Sequence, residues 1–153
     1  MSLETETTTG TNVKQSVPFF MVSNMEESVR YCIDGLGFKM INKWMDEGKL
    51  RWCWFQLGGA ALMLQEFRKE GHDSWVPEGK VGVGISISFI CEFICEDALA
   101  IYRKVTSRGI QAKNPFVGNG MWVTGLSDPD GYKLSFESPT EVSEDTEFLE
   151  AEV

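Results

Sequence analysis

The stretch VPFFMVSNMEESVRYCIDGLG, residues 17–37, decides the fold because it predicts a strand followed directly by a capped helix. Its first part, VPFFMV at 17–22, is a short apolar run typical of a buried strand. Ser23 or Asn24 can cap the helix that follows, because both side chains accept hydrogen bonds from free N–H groups. Apolar residues then recur at helical spacing until Gly37, which ends the helix.

Three further predicted strands complete this unit. FKMINKWMD at 38–46 is the first of them. KLRWCWFQL and AALMLQEF follow as a hairpin, which turns at Gly58 and Gly59. The sequence therefore predicts a β-α-β-β-β module over residues 17–67.

The same plan returns after a polar linker at residues 68–81. VGISISFICEFIC at 83–95 predicts a strand, and the helix that follows it ends at Gly109, which lies 72 residues (109 − 37) after Gly37. The remaining strands are predicted at 110–116, 120–127 and 132–138. This internal repeat predicts a second β-α-β-β-β module over residues 82–138.

Both faces of the predicted strands are apolar, so each sheet needs cover on the face opposite its helix. The concave face of the other half-sheet, in the same chain or in a partner chain, is the natural cover. We therefore predict an α+β fold, in which two β-α-β-β-β modules form a curved mixed sheet around a cleft with the helices on the outer face. A homodimer is the expected assembly.

The charge of the chain is concentrated at its C-terminal end. Of the net charge of −9, −6 lies after Thr140 and −1 lies before Val17, so the body between them carries −2. A nearly neutral body lacks the basic stripe that nucleic-acid binding requires, and no apolar run is long enough to span a membrane. We expect a disordered lead-in at residues 1–16, a solvated acidic tail at 139–153, and neither nucleic acid nor membrane as a partner.

The four cysteines form no C-x-x-C pair. Cys91 and Cys95 fall on one face of a predicted strand about 13 Å apart, which is too far for a disulfide. Buried, reduced thiols indicate a cytoplasmic protein, and the N-terminus lacks the apolar region of a signal peptide. A nucleophilic cysteine would need a histidine partner, and the single histidine, His72, is predicted to be a solvated residue of the linker.

Three segments resemble the vicinal oxygen chelate superfamily, which includes glyoxalases, extradiol dioxygenases, fosfomycin-resistance proteins and bleomycin-resistance proteins. VPFFMVSNMEESVRYCIDGLGF is similar to the opening strand and helix of that family, and GGAALMLQE is similar to its fourth strand. LSDPDGYKLSFES resembles its Asp-Pro-Asp-Gly final hairpin. The resemblance covers about residues 17–138 and implies the paired-module fold, which hosts many unrelated functions.

The resemblance also implies where a catalytic metal would sit. Metal-dependent relatives hold a divalent cation with His and Glu side chains from the first and last strands of each module, and the metal polarises the substrate. The matching positions here are Val17, Leu64, Ile90 and Ser135. These side chains do not form a metal site. We therefore expect no metal cofactor and no metal-dependent glyoxalase or dioxygenase activity.

Three carboxylates, Glu66, Glu92 and Glu137, lie two residues beyond Leu64, Ile90 and Ser135. A step of two residues stays on one face of a strand, so we expect all three in the cleft. Three interpretations of these carboxylates compete. They are solvated rim residues, paired with Arg51 or another base, or they form an acidic wall that orients a polar or cationic ligand. In the third interpretation they are the oxygen ligands of a hard cation.

Tryptophans are the second feature of the predicted strands. Trp44, Trp52, Trp54 and Trp122 either pack in the core and dimer interface or line the cleft and stack on a planar ligand. The predicted ligand-binding residues are Phe19, Arg51, Leu64, Glu66, Ile90, Glu92, Trp122, Ser135 and Glu137.

The leading hypothesis is a metal-free, homodimeric binding protein of the glyoxalase/bleomycin-resistance type. It holds a planar or cationic organic molecule in a cleft between β-sheets. The alternative is a lyase, isomerase or dioxygenase-like enzyme, which uses a divalent metal or cleft carboxylates in a shifted site. A third hypothesis is a scaffold whose cleft is filled by side chains. No catalytic residue is assigned.

Overall fold

The computed structural model of the chain describes residues 12–67, 82–83 and 89–150. The elements of the first module are β1 (Phe19–Val22), α1 (Met25–Arg30), a π-helical segment (Tyr31–Leu36), β2 (Lys39–Asp46), β3 (Lys49–Leu57) and β4 (Ala60–Glu66). Those of the second are β5 (Cys91–Ile94), α2 (Ala98–Ser107), β6 (Phe116–Gly118), β7 (Met121–Ser127) and β8 (Lys133–Pro139). The linker predicted at 68–81, with His72, lies outside the described residues, as do residues 84–88 of the strand predicted at 83–95.

Each module forms a four-stranded mixed sheet, and the two sheets share one topology. The strand orders are β1-β4-β3-β2 and β5-β8-β7-β6. In each sheet the first and last strands of the module pair in parallel, and the other pairs are antiparallel. The predicted α+β fold with two β-α-β-β-β modules is confirmed. Among the described strands, the two sheets are separate and do not close into a barrel.

The strand predicted at 110–116 is shorter than expected and begins further along the chain. The structure places only Phe116–Gly118 in β6, and Ala112 makes a single isolated bridge to Leu126. Asn114 and Pro115 explain the difference, because proline has no N–H to donate to a ladder and asparagine is depleted in strands.

The helix of the first module contains one residue more than that of the second. Asn24 and Asp97 cap the two helices, each accepting a backbone N–H three residues on, and they lie 73 positions (97 − 24) apart. The closing residues, Gly37 and Gly109, lie only 72 positions (109 − 37) apart. The π-helical segment Tyr31–Leu36 accommodates the extra residue, since an i→i+5 turn takes in one residue more than an α-turn.

The helix-covered faces of both sheets meet in one hydrophobic core. Phe38 contacts Phe55 of the first sheet and Phe93 of the second edge-on, with ring centroids 6.2 Å and 5.9 Å apart. Phe20 of β1 stacks on Tyr132, which precedes β8, at 4.1 Å and an interplanar angle of 3°. Because strand side chains alternate, the opposite faces of both sheets turn away from this shared core.

The Asp-Pro-Asp-Gly turn clamps the two modules together. Both carboxylate oxygens of Asp130 accept the backbone N–H of Ser23, at 3.2 Å and 3.1 Å. The hydroxyl of Tyr132 donates to the carbonyl of Met21 at 2.8 Å. Asp128 Oδ1 shapes the turn by accepting the N–H groups of Asp130 and Tyr132, at 2.9 Å and 2.8 Å. In this chain, the motif therefore has a structural role between β1 and β8.

The C-terminal segment packs along the edge of β6, so the tail is not wholly solvated: Thr146 and Phe148 are half-buried, whereas the other residues of 141–150 are exposed. Val117 donates its N–H to the carbonyl of Thr146 and accepts the N–H of Asp145, both at 2.9 Å. These bonds satisfy the edge of the sheet, which would otherwise present unpaired backbone groups.

A single aromatic side chain anchors this segment. The ring of Phe148 lies edge-on to Trp122 and to Tyr102, with centroids 6.1 Å apart in both cases. The guanidinium of Arg103 lies 5.2 Å from the centre of the same ring. Six acidic residues dominate the composition after Thr140, so the sequence predicts solvation and does not indicate that Phe148 is packed.

A chain that ends at Thr140 should therefore unfold more easily than the full chain. We expect a loss of about 2–4 kcal/mol, because the truncation removes a packed phenylalanine and several backbone hydrogen bonds. Thermal unfolding followed by circular dichroism would show a lower Tm. Leu149→Ala is the matched control, since this side chain is 73% exposed and should leave the Tm unchanged. An unchanged Tm in the truncated chain would contradict the packed tail.

Candidate functional site

Among the described residues, the faces turned away from the shared core form two open surfaces of different chemistry. The open face of the first sheet is called the aromatic face, and the open face of the second is called the acidic face. The aromatic face carries Phe19, Met21, Asn42, Trp44, Trp52, Trp54, Met63 and Gln65. The acidic face carries Glu92, Ile94, Phe116, Val123, Gly125, Lys133, Ser135 and Glu137.

Strand pairing places the aromatic side chains side by side. Trp52 pairs with Trp44 on β2 and with Gln65 on β4. Trp54 is next to Met63, which in turn pairs with Phe19. Phe19 and Trp44 are each 47% exposed. Rings that stand beside one another on an exposed sheet face present flat surface on which a planar molecule can stack.

Two carboxylates dominate the acidic face. Glu92 pairs with Ser135, and Glu137 lies in the next row between Ile94 and Val123. Burial, followed by the charge of Glu92, raises the pKa of Glu137. A nearby cation would reverse this shift, because an opposite charge favours the ionised carboxylate.

One basic residue, Lys133, begins β8 on the acidic face, two positions before Ser135. Within the described part of the chain, neither Glu92 nor Glu137 has an ion-pair partner within 4.0 Å. The carboxylates are therefore available to a cationic group from outside the described residues.

The structure corrects the predicted position of two residues of the first module. Leu64 is 1% exposed and pairs with Phe20 inside the core, whereas Met63 holds the open position beside Phe19. Glu66 shares the inner face, and its Oε2 accepts the N–H of Met25 at 2.9 Å, at the start of α1. Both were predicted to face the cleft. The assignment was wrong by one residue, and one residue reverses the face of a strand.

The second module shows why Glu66 points inward. Ser138 occupies the equivalent position on β8, and its Oγ accepts the N–H of Ala98 at 2.9 Å, at the start of α2. Each module thus uses one polar side chain of its last strand to satisfy a free N–H group of its helix. Glu66 is a structural anchor of this kind, and the predicted acidic wall has two carboxylates.

Arg51 and Trp122 also lie on inner faces, contrary to the predicted cleft positions. Arg51 precedes Trp52 on β3, so it shares the face of Cys53, and its buried Nε has no hydrogen-bond partner among the described residues. Trp122 pairs with Ser138 and packs edge-on to Phe148. The long apolar runs of β3 and β7 made both faces equally plausible in the sequence.

Four of the predicted residues do lie on open faces: Phe19, Glu92, Ser135 and Glu137. Ile90 is exposed and lies just before β5, two residues before Glu92. The sequence did not decide which face Trp52 and Trp54 occupy, and Met63 and Gly125 were not among the predicted ligand-binding residues. The repeat could have identified Met63, since 72 residues before Ser135 is position 63.

The open-face positions do not fit a metal site of the kind implied by the family resemblance. With Met63 in place of Leu64, the four positions are Val17, Met63, Ile90 and Ser135, which offer two aliphatic side chains, a thioether and a neutral hydroxyl. Divalent metals of such sites need imidazole or carboxylate ligands. The described ranges contain no group of three or more His, Cys, Asp or Glu side chains that could hold a metal ion.

The cysteines are free, as predicted, and three of the four are buried. Burial raises the pKa of Cys53 to about 12 and that of Cys91 to about 11, and it also raises the pKa values of Cys32 and Cys95. The thiols therefore stay protonated at neutral pH and are poor nucleophiles.

Two similar modules with separate open faces define the class of protein: a paired β-α-β-β-β fold of the glyoxalase type. A family model described as "Glyoxalase/Bleomycin resistance protein/Dioxygenase superfamily" matches residues 15–136, and the chain belongs to this family. No protein with a curated description matches the sequence. Within the described residues, no helix is long and apolar enough to cross a membrane.

Several solved structures share this fold. TnmS3, an antibiotic binding protein from Streptomyces sp. CB03234, shares 18% identity and a TM-score of 0.63, over 84% of this chain and 98% of that chain. A glyoxalase/bleomycin resistance protein from the same organism shares 19% identity and a TM-score of 0.57, over 78% and 96% of the two chains. TioX from Micromonospora sp. ML1 shares 13% identity and a TM-score of 0.60, over 85% and 99%. At these identities the likeness concerns the fold.

Proposed function

We propose that the protein binds a planar, cationic organic molecule, without a metal, between the aromatic face of one copy and the acidic face of a second copy. The observation that carries this proposal is the different chemistry of the two open faces. One offers tryptophans and methionine, and the other offers two carboxylates without a described counter-ion.

The aromatic face suits the flat part of such a ligand. Indole rings stack on planar molecules and attract cations through their negative ring faces. Trp52 and Trp54 supply adjacent indoles on β3, and Trp44 widens this surface on β2. The amide of Gln65, beside Trp52, offers a hydrogen bond to a polar substituent.

The acidic face suits the charged part. Glu92 and Glu137 point from neighbouring strands, so an ammonium or iminium group between them can interact with both carboxylates. Such a group also favours the ionised form of Glu137, whose pKa burial and the charge of Glu92 raise, because it places opposite charge beside this carboxylate.

A second copy completes the cleft in this proposal. The inner faces of both modules share one core, so the open faces of one chain turn away from each other and do not enclose a ligand between them. Apolar side chains are exposed on both, with Phe19 and Trp44 on the aromatic face and Ile94, 69% exposed, on the acidic face. A homodimer that pairs the aromatic face with the acidic face would cover these side chains twice by symmetry.

The family supports a binding role without fixing the ligand. Bleomycin-resistance proteins give the family part of its name, and TnmS3, which has the same fold, is described as an antibiotic binding protein. At 18% identity, the ligand of TnmS3 is not transferable to this chain. Within this chain, the support for a planar cation comes from the chemistry of the open faces.

Two planar dyes with the same three-ring core and different charge test the proposal. Proflavine is a planar aromatic cation at about pH 7.5, and acridine is its uncharged analogue. We expect both to quench tryptophan fluorescence and proflavine to bind more tightly in calorimetric titrations, with one ligand at each cleft of a dimer. Absence of binding by both dyes would contradict the proposal.

Glu137→Gln should weaken proflavine binding by about tenfold and leave acridine binding unchanged, because the substitution removes charge and keeps the shape of the side chain. Calorimetric titration of each dye measures both effects. Glu26→Gln, on the exposed side of α1, is the control and should change neither affinity. An equal loss for the two dyes would contradict a role of the carboxylate charge.

Metal analysis of the purified protein separates the proposal from the enzymatic alternative. We expect no stoichiometric divalent metal, because the open-face positions lack metal ligands. A bound metal that is lost in Glu137→Gln would favour the alternative, an enzyme with a shifted metal site.

A further inference from the structure

We infer that Gly125 and Ser135 form a hollow in the acidic face, which receives the ring system of the ligand and limits its size. This inference rests on the proposed function and adds a residue that determines specificity. Gly125 of β7 pairs with Ser135 of β8, which pairs in turn with Glu92 of β5. The three form one row across the sheet, on the side turned away from the core.

The neighbouring row of the sheet is filled by larger side chains. It runs from Ile94 through Glu137 and Val123 to Phe116 at the edge. Against these, Gly125 carries no side chain and Ser135 a short one that is only 5% exposed, so this row lies lower than its neighbour. Glu92 closes one end of it, so a cationic substituent of a ring lying in the hollow comes close to a carboxylate.

The backbone does not require glycine at position 125. Gly125 is absent from the positive-φ residues, unlike Gly131 at φ +86° in the Asp-Pro-Asp-Gly turn, where side chains are disfavoured. A Cβ built on Gly125 meets no atom of the described residues within 4 Å. By contrast, a Cβ on Gly35 would collide with Ile110 of the second module.

Glycine inside a strand lowers stability by roughly 0.5–1 kcal/mol relative to alanine. Such a glycine often marks a place where a ligand or another backbone approaches closely. Since the described residues leave the space above Gly125 open, we expect the approaching group to come from outside them. The adjacent carboxylates and the open-face position favour the ligand over the backbone of a second copy.

Gly125→Leu fills the hollow and tests the inference. We expect at least a tenfold loss of affinity for proflavine and for acridine alike, because the leucine blocks the space of the ring whatever its charge. Glu137→Gln, in contrast, should affect proflavine only. Gly125→Ala should give a smaller loss for both dyes and unfold at the same temperature as the unaltered protein or a higher one, so it keeps the test valid if leucine disturbs folding.

Ser107→Leu is the matched control. It adds similar bulk to an exposed position of α2, away from both open faces, and should leave both affinities unchanged. The assembly state of every variant is measured by light scattering after size-exclusion chromatography. We expect Gly125→Leu to remain in the same state as the unaltered protein.

Three results would overturn the inference, and they have different meanings. If the unaltered protein binds both dyes and Gly125→Leu binds them equally well, the hollow does not hold the ring and the proposed function stands. If Gly125→Leu dissociates the dimer, the hollow receives the second copy. If the unaltered protein binds neither dye, the proposed function fails and the inference fails with it.

Discussion

Tyr132→Ala should lower the free energy of unfolding by about 3–5 kcal/mol, a large effect for one substitution. The side chain is 4% exposed, and its ring stacks on Phe20 across the boundary between the modules. Its hydroxyl donates to the carbonyl of Met21, so alanine removes packing and also leaves a backbone acceptor of β1 without this donor. Urea unfolding at neutral pH measures the loss.

Tyr132→Phe separates the two contributions. It keeps the ring and removes only the hydroxyl, so we expect a loss of about 1 kcal/mol. If alanine and phenylalanine prove equally destabilising at position 132, the stacked ring contributes little and the modules are held together elsewhere.

Asp128→Asn should stabilise the protein at alkaline pH and have little effect in acid. Burial raises the pKa of Asp128 to about 7, although the N–H group of Tyr132 lowers it; the charge of Asp130 raises it further. Between about pH 4 and pH 7, the folded chain therefore keeps a proton that the unfolded chain has lost. Stability associated with Asp128 is complete below pH 4 and is lost as the pH rises through 7.

The size of this effect follows from the shift. Each pKa unit corresponds to about 1.4 kcal/mol, so we expect Asp128→Asn to gain about 2–4 kcal/mol over the unaltered protein at pH 8. Asparagine can keep the oxygen that accepts the N–H groups of Asp130 and Tyr132.

Urea unfolding at a series of pH values measures the difference between the two proteins. Comparing the variant with the unaltered chain cancels the titration of all other carboxylates. Asp34→Asn, on the exposed side of the helical segment, is the control for removing one negative charge at an exposed position. A difference between Asp128→Asn and the unaltered protein that stays constant with pH would show that the Asp128 carboxyl ionises normally in the folded protein.

The sequence predicted the order of elements well because local residues determine it. Asn24 and Gly37 bound the first helix, the glycine pair at 58–59 sets the hairpin, and the repeat predicts the second module from the first. Each of these features acts over a few residues through caps and turns, so their chemistry is readable without tertiary contacts.

Which face of each strand lies in the core depends on contacts that the sequence does not show. Both faces of β3 and β4 are apolar, and only the pairing of Met63 with Phe19 decides which face is open. The prediction of a solvated tail was incomplete for a related reason. Its acidic composition predicted solvation, while one residue, Phe148, finds partners on Tyr102 and Trp122 that lie far away in sequence.

The shared core has a consequence for how binding responds to protein concentration. Because Phe38 and Tyr132 join the modules inside one chain, we expect each chain to fold without a partner. In the proposed arrangement the cleft forms only when two folded chains meet, so its abundance rises with the square of the monomer concentration. A ligand held between them draws the association forward by mass action, and the dimer tightens as the cleft fills.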